Sequence, residues 1–187
     1  MEPVSLVTER LVLSIPTDAD IDAITDACQD PEVPRWTTVP SPYTRQHAAD
    51  FVELVAAWWA DSAETVWAIR KDGVLAGMIG LHRITDHTHG GEAEIGFWSV
   101  AGFRGQGVMV EAARAVIAFA FDELGLVRLS WRAVVGNIPS ARTARSLGFR
   151  YEGMLRHGLT SPRGRDDGWV AGLLASDDRA PVAWPVL

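Results

Sequence analysis

The chain has 187 residues, of which 48% are hydrophobic and 22% are charged, so it can bury a sizeable core and disorder is not expected. Seventeen Lys and Arg residues against 24 Asp and Glu residues give a net charge of −7. This balance argues against nucleic acid as the main partner, because such binding depends on Lys and Arg neutralising phosphates, and it favours a cationic partner.

The N-terminal half predicts a strand, two helices and three further strands. Residues 8–15 alternate between apolar and polar positions, which indicates a half-buried strand. A helix is expected to start at Thr17-Asp18, and the proline-rich stretch from Asp30 to Pro42 predicts a loop. Apolar residues from Phe51 to Trp59 recur at helical spacing and predict a second, amphipathic helix. The three further strands are expected over 66–70, 74–84 and 92–98.

The C-terminal half continues with a glycine-rich turn, Gly102-Phe-Arg-Gly-Gln-Gly107, and with an apolar helix expected from Val108 to Leu124. A short helix ending at Gly148 is also expected, because glycine favours the left-handed position after a helix. Strands are expected over 126–135, 149–159 and 169–174. This order predicts one mixed α/β domain over residues 1–187, with a core at about 6–175 and a tail at 176–187.

The glycine-rich turn between a strand and a helix is the strongest functional clue. Backbone N–H groups at a helix N-terminus favour anions, and Gly105 and Gly107 let a diphosphate approach the backbone closely. Arg104 adds a fixed positive charge. Taken alone, such a turn is equally typical of a tight connection. It lacks the third glycine of the dinucleotide fingerprint and the lysine of a P-loop, which argues against both of those sites.

A second clue is the segment Asn137-Ile-Pro-Ser140, which opens the helix that ends at Leu147-Gly-Phe149. Asn137 can cap this helix, and Pro139 is tolerated in its first turn. Ser140 falls in the same turn, where its hydroxyl lies near the exposed N–H groups. Taken alone, this pattern is typical of ordinary helix capping.

Together, the two segments resemble the GNAT superfamily of N-acetyltransferases, most closely its RimJ/RimL-like branch. The family's [RQ]-x-x-G-x-[GA] turn matches Arg104 and Gly107, while Met109 departs from it at the last place. The family's N-x-x-S helix start matches Asn137 and Ser140, and its Leu-Gly-Phe ending is also present.

The resemblance extends over roughly residues 6–175. The opening Thr8-Glu-Arg-Leu-Val-Leu13 and the strand Glu94-Ile-Gly-Phe-Trp98 are also similar to this branch. The resemblance implies a GNAT-like central sheet, mostly antiparallel and twisted, that is flanked by helices.

The activity that the resemblance implies is direct transfer of acetyl from acetyl-CoA to a primary amine. The acceptor is either a protein N-terminal α-amino group or a small-molecule amine. A noncatalytic acyl-CoA-binding or sensory module with the same fold is the alternative.

The resemblance also implies where coenzyme A would bind. Backbone N–H groups around Trp98, Ser99 and Val100 are expected to receive the pantetheine and polarise the thioester. The other residues expected to hold the cofactor belong to the turn and to the start of the second helix: Arg104, Gly105, Gln106, Gly107, Val108, Met109, Asn137, Ser140 and Arg142.

Two catalytic residues are expected. Glu94 is the candidate base, acting through water, because the family places a carboxylate on this strand near the acceptor. A surface carboxylate on an exposed strand face is the open alternative. Ser140 is the candidate donor to the departing thiolate, with Tyr151 as the alternative because many family members use tyrosine. The acceptor cleft is expected to be walled by Trp36, Tyr43, Glu92 and Trp131.

The remaining features predict no further chemistry. His87 and His89 lie in a polar loop without a third ligand, so no metal site is expected. The single Cys28 excludes an intramolecular disulfide, and neither a signal peptide nor a membrane span is expected, so the protein is predicted to be cytoplasmic. Edge strands near the C-terminal end are compatible with a homodimer.

Overall fold

A single twisted sheet organises the chain, with strand order β1-β2-β3-β4-β5-β6-β8-β7. The computed structural model describes residues 1–85 and 90–187. All neighbouring strands are antiparallel except β5 and β6, which are parallel. Within the described residues the strands are β1 (Leu6–Val7), β2 (Leu11–Ser14), β3 (Thr65–Lys71), β4 (Val74–Thr85), β5 (Gly91–Ser99), β6 (Leu126–Val134), β7 (Arg150–Ser161) and β8 (Gly164–Leu174).

Helices cover both faces of this sheet. In the part of the chain that the structure describes, the α-helices are α1 (Ile21–Ala27), α2 (Glu32–Trp36), α3 (Arg45–Asp61), α4 (Val108–Ala118) and α5 (Ile138–Ser146). A 3-10 turn over Asp18–Asp20 precedes α1, and another over Ala101–Phe103 lies in the glycine-rich turn. Helix α4 continues as a π-helical turn over Phe119–Glu123. The architecture confirms the predicted fold class.

Helix α3 begins and ends where its sequence favours it. Thr44 caps the N-terminus, since its hydroxyl accepts a hydrogen bond from the His47 backbone N–H at 3.3 Å. Ser62 ends the helix in the left-handed conformation, with φ of 56°. Near this end, Trp59 is fully buried and packs edge-to-face on Trp67 of β3, with ring centroids 5.0 Å apart. This aromatic contact ties α3 to the sheet.

The two faces of the sheet bury different sets of side chains. The larger core includes Leu81, Ile95 and Leu129, and the apolar side of α4 packs against it. On the opposite face, α1 and α3 pack against Ala68 and Met78. Because side chains alternate along a strand, the residues of β5 and β6 between these core positions face away from α4. Those residues are available to line a site.

The parallel strands β5 and β6 separate before they end. Their pairing runs only from Gly91 opposite Leu126 to Glu94 opposite Ser130. Beyond that point β5 continues to Ser99 beside β4, while β6 continues beside β8. A gap therefore opens between the C-terminal halves of the two strands, next to the glycine-rich turn and the start of α5.

Several details differ from the sequence prediction, among them the short strand β1, which was not expected. The stretch from Asp30 to Pro42 is not entirely a loop, because it contains the five-residue α2. Strand β8 begins at Gly164 rather than at residue 169, since the hairpin with β7 extends almost to its tip. The predicted tail packs back on the domain, where Trp184 is buried and donates a hydrogen bond to the Phe149 carbonyl at 2.9 Å. Among the helices of the described residues, none has the length and apolar character required to cross a membrane.

Candidate active site

A cavity of 1250 Å³ occupies the gap between β5 and β6. It extends to the glycine-rich turn at one end, and to α2, α3 and the tip of the β7–β8 hairpin at the other. The predicted site residues that line it are Trp36, Tyr43, Glu94, Trp98, Ser99, Arg104, Gly105, Gly107, Val108, Met109, Trp131, Asn137 and Ser140. Four predicted residues, Glu92, Val100, Gln106 and Arg142, are not part of its lining.

The glycine-rich turn has the geometry of an anion cradle. Gly105 and Gly107 have φ angles of 73° and 75°, a conformation that favours glycine. The first backbone hydrogen bond of α4 runs from the Glu111 N–H to the Gly107 carbonyl at 3.0 Å. The preceding N–H groups therefore have no place in the helical ladder and are available to a ligand. A Cβ at Gly105 would meet no atom within 4 Å, so a diphosphate can reach this backbone.

Contacts from the N-terminal strands hold the start of α4, and their main residue, Arg10, was not among the predicted site residues. The Nε of Arg10 donates to Oε2 of Glu111 at 2.6 Å, and its Nη1 donates to the Gln106 carbonyl at 3.3 Å. Thr8 donates to Oε1 of Glu111 at 2.6 Å. Burial alone would raise the pKa of Glu111, but the hydrogen bonds from Thr8 and Arg10 outweigh it and lower that pKa below the ordinary value. Arg10 thus lies beside Gly107 with its charge paired to Glu111, and the resemblance of the Thr8-Glu-Arg10 opening to the family was the available sequence signal.

The side chains of Arg104 and Gln106 support the turn itself. Arg104 pairs with Asp30 at 2.7 Å and donates to the Ser99 carbonyl at 3.1 Å. Gln106 donates from its side-chain amide to the Gly102 carbonyl at 2.7 Å. The charge of Arg104 is therefore partly compensated within the protein, and the contribution of Gln106 to a ligand is confined to its backbone.

The free edge of β5 offers backbone donors to the gap. The Val100 N–H donates to the Ala76 carbonyl of β4 at 2.9 Å, so it is not available to pantetheine, contrary to the prediction for this residue. Successive N–H groups of a strand point to opposite edges. The N–H groups of Phe97 and Ser99 therefore point towards the gap that β6 has left, where Ser99 was expected to act.

Ser140 presents a hydroxyl proton to the cavity. Asn137 caps α5 by accepting a hydrogen bond from the Ser140 N–H at 3.3 Å. The Nε1 of Trp131 donates to the Ser140 Oγ at 3.1 Å. Because an indole nitrogen only donates, the Ser140 O–H proton remains available to another acceptor. Tyr151 packs on Trp184 instead, with ring centroids 5.7 Å apart, and does not line the cavity.

Glu94 lies on the cavity floor but has two cationic partners. Its Oε2 accepts a hydrogen bond from Arg83 at 2.7 Å and is 3.2 Å from Nε of Arg132. Both contacts engage Oε2, so a proton taken up by Glu94 would have to go to Oε1, and the expected role of Glu94 as base stays a prediction. Glu92 does not reach the cavity, because it lies two residues earlier, where β5 and β6 are still paired, and its exposed side chain faces Arg128 at 3.8 Å.

The aromatic residues expected at the acceptor differ in their surroundings. Trp36 lines the cavity from α2 and is held by a hydrogen bond from its Nε1 to Glu32 at 2.8 Å. Tyr43 also lines the cavity, and burial raises the pKa of its hydroxyl, which therefore stays protonated. Trp131 is only 1% exposed and belongs to the core, so its contribution is the support of Ser140 rather than an open wall.

A histidine and a glutamate that the sequence did not single out face the same cavity. Nδ1 of His82 lies 2.5 Å from Oε2 of Glu64. The two residues come together because the antiparallel pairing of β3 and β4 sets Thr65 opposite Leu81. The available sequence signal was weak: the alternation of β4 places His82 on the same face as Gly80.

The remaining predicted residues lie elsewhere. Arg142 is exposed on α5 and away from the cavity. His87 and His89 fall outside the described residues. Within residues 1–85 and 90–187, no group of three or more His, Cys, Asp or Glu side chains is arranged to hold a metal ion. Burial raises the pKa of Cys28 to about 12, so this thiol stays protonated in its helix packing.

Comparison with known proteins points to one family. The family profile described as "Acetyltransferase (GNAT) domain" matches residues 10–150. The protein "Putative ribosomal N-acetyltransferase YdaF" of Bacillus subtilis (strain 168) is 42% identical over 88 residues, which is 47% of each chain, so the match spans about half of that relative. "Uncharacterized N-acetyltransferase YoaA" of the same organism is 29% identical over 153 residues, covering 81% of this chain and 85% of YoaA.

A solved structure shows the same fold. The RimL ribosomal L7/L12 alpha-N-protein acetyltransferase in complex with coenzyme A superimposes with a TM-score of 0.83 and 18% identity. The superposition covers 94% of this chain and 100% of the RimL chain.

Proposed function

The chain belongs to the GNAT family of acetyltransferases, and on that premise we propose that it acetylates the α-amino group of a protein or peptide N-terminus with acetyl-CoA. The observation that carries the proposal is the single cavity that joins the α4 N-terminus, the β5–β6 gap and the α2–hairpin side. A donor and an extended acceptor can meet in this space from opposite ends.

The residues around the turn fit the phosphate end of acetyl-CoA. The orphan N–H groups at the start of α4 favour the diphosphate, and Arg10, whose charge is paired with Glu111, supports the turn beside them. The open space at Gly105 leaves the backbone accessible. Among the residues predicted for the cofactor, Arg104, Gly105, Gly107, Val108 and Met109 are therefore assigned to this end, and Asn137, at the start of α5, is assigned to the CoA arm.

The free edge of β5 fits the thioester end. Acetyl-CoA supplies an activated acetyl group whose carbonyl oxygen becomes negatively charged when an amine attacks. N–H donors aimed at that oxygen stabilise the developing charge, and such stabilisation is often the largest catalytic contribution. The N–H groups of Phe97 and Ser99, next to Trp98, are in the position to donate.

Ser140 is assigned the transfer of a proton to the departing thiolate. A thiol has an ordinary pKa of about 8.5, so its thiolate leaves without full protonation but gains from a donor. The Trp131 N–H fixes the Ser140 oxygen and leaves its proton free. This arrangement supports Ser140 over Tyr151.

Replacing Ser140 by alanine is expected to lower kcat about 10- to 100-fold, because a hydrogen bond to a charged group contributes about 1.5–3 kcal/mol. The KM for acetyl-CoA should change little. Steady-state kinetics with Tyr151→Phe as the matched control would check this. Equal losses in the two variants, or a larger loss in Tyr151→Phe, would remove Ser140 from the mechanism.

Two observations support a peptide acceptor. The cavity of 1250 Å³ continues past the β5–β6 gap to α2, α3 and the tip of the β7–β8 hairpin, so an extended acceptor can lie opposite the pantetheine arm. The net charge of −7 favours basic proteins as partners. The names of YdaF and RimL, which refer to ribosomal acetylation, agree with this class of acceptor.

The proposal is tested with pairs of peptides that differ only at the N-terminus. One member has a free α-amino group and no lysine, and the other has a blocked α-amino group and one lysine. Aminosugars, free amino acids and polyamines complete the panel, and the readouts are release of the CoA thiol and mass spectrometry of the peptide. Acetylation is expected on the free α-amino group and at least tenfold more slowly on lysine, whose pKa of about 10.4 leaves less neutral amine than an α-amino pKa of about 7.7–8.0.

Two outcomes would contradict the proposal. Turnover with small amines alone would make the protein a small-molecule acetyltransferase. Binding of acetyl-CoA without thiol release for any amine would favour the noncatalytic module.

A further inference from the structure

His82 and Glu64 form a hydrogen-bonded pair on the cavity floor that has no role in donor binding. Nδ1 of His82 lies 2.5 Å from Oε2 of Glu64, and both residues line the cavity. Their side chains are 34% and 21% exposed. The pair is thus partly buried and borders the cavity.

The chemistry of the pair determines which imidazole nitrogen faces the substrate. A carboxylate only accepts hydrogen bonds, so Nδ1 carries the proton in this contact, and the neutral ring has its lone pair on Nε2. Nε2 lies 3.2 Å and 3.0 Å from the positions that a Cβ would occupy at Gly80 and Gly96. No partner for Nε2 is found among the residues that the structure describes. The proton-accepting Nε2 of His82 therefore lies beside Gly80 and Gly96, which have no side chains to cover it.

Other charged and titratable groups also line the cavity near His82, among them Arg83, which donates to Glu94. Glu94 sits opposite His82 in the β4–β5 register, and its Oε2 is paired with two arginines. From α3, His47 and Asp50 line the same cavity. His47 accepts a hydrogen bond from the Thr44 N–H through Nδ1 at 3.1 Å, which belongs to the α3 cap. Glu64 is the carboxylate in direct contact with the His82 ring.

We propose that His82 is the general base that deprotonates the acceptor amine, and that Glu64 positions its imidazole. The inference rests on the proposed acetyl transfer. Nε2 takes one proton from the ammonium, and the freed lone pair forms the N–C bond to the acetyl carbonyl carbon as the C–S bond breaks. The amide nitrogen loses its second proton to the sulfur through the Ser140 hydroxyl, and the imidazolium returns its proton to solvent.

The first measurement is kcat at saturating peptide as a function of pH, which reports groups in the substrate complex. His82→Gln is expected to lower kcat about 100-fold at neutral pH, because general base catalysis contributes about 10²- to 10⁴-fold. The wild-type kcat should fall at low pH as the base becomes protonated, and this acid limb of the profile should disappear in the variant. The Kd for acetyl-CoA and the Tm should stay close to wild type, which separates loss of the base from loss of the fold.

Glu64 and Glu94 provide the matched pair of carboxylate variants. Glu64→Gln removes the charge that faces Nδ1, so the acid limb should move to lower pH and kcat should fall less than in His82→Gln. Glu94→Gln should leave the acid limb in place. In His82→Ala, added imidazole should restore activity in a saturable manner, while it should not stimulate Glu94→Gln.

The possible failures are distinguishable. Wild-type protein that turns over no amine overturns the acetyl transfer itself. Wild-type turnover with an unchanged acid limb in His82→Gln overturns the assignment of His82 alone. Loss of that limb in Glu94→Gln, together with its retention in His82→Gln, transfers the role to Glu94.

Discussion

Replacement of Gly107 by valine is expected to raise the Kd for acetyl-CoA by about 100-fold, which corresponds to about 2.7 kcal/mol of binding free energy. Gly107 has a φ of 75° and immediately precedes α4. A β-branched residue strongly disfavours this conformation, so the variant must either strain the turn or rotate its peptide groups away from the cradle. The branched side chain would also occupy the space through which a diphosphate approaches the orphan N–H groups.

Gly102 offers the matched control, because it lies in the same turn without a left-handed φ and a Cβ there would meet no atom within 4 Å. Gly102→Val should therefore bind acetyl-CoA like the wild type. Isothermal titration with acetyl-CoA gives both affinities. The strain in Gly107→Val, about 1–2 kcal/mol, should lower the Tm by only a few degrees and leave the domain folded. Wild-type affinity in Gly107→Val would remove the turn from the cofactor site.

The features proposed for the donor end of the cavity are more local in the sequence than those proposed for the acceptor end. The turn, the start of α4 and the cap of α5 are local features whose geometry follows from glycines at positive φ and from Asn137 at a helix start. Such features depend on neighbours in the chain. Arg10 was missed because its contacts with Glu111 and Gln106 join segments about one hundred residues apart.

The acceptor end depends on strand pairing, which a single sequence does not specify. Alternation along β5 correctly placed Glu94, Gly96 and Trp98 on one face. It did not reveal that β6 would leave β5 after Ser130, nor that arginines from β4 and β6 would both reach Glu94. Because β5 and β6 separate, the face of β5 that carries Gly96 and Trp98 borders the cavity. Glu92 does not line the cavity, since it lies where the two strands are still paired.

The same reasoning explains why one predicted wall residue has another role. Trp131 alternates with Ser130 and Arg132, so in β6 it faces the core on the α4 side, where it packs on Trp184 with ring centroids 5.5 Å apart. Deciding between the two faces of a strand requires knowing which face is covered, and this is a property of the whole sheet.

Replacement of Gly96 by valine is expected to lower kcat about 100-fold and to leave the Kd for acetyl-CoA unchanged, because the substitution displaces a general base whose contribution is about 10²- to 10⁴-fold. A Cβ at Gly96 would lie 3.0 Å from Nε2 and 3.1 Å from Cδ2 of His82, with no backbone atom within 4 Å. The imidazole must therefore move, while the strand can accept a β-branched residue. The glycine-rich turn is untouched, so binding of the donor should persist.

A double-mutant cycle with His82→Ala decides whether the loss acts through the imidazole. If Gly96→Val lowers kcat only by displacing His82, the double variant should be no slower than His82→Ala alone, since the two changes remove the same group. If the valine instead blocks the acceptor, the reductions in kcat from the two substitutions should multiply. The KM for the peptide should then rise both in Gly96→Val and in the double variant. Full activity in Gly96→Val would contradict both explanations, because it would mean that the chemistry takes place away from this floor. In that case the base would have to be sought on the cavity wall formed by α2 and α3, where Trp36 and Tyr43 lie.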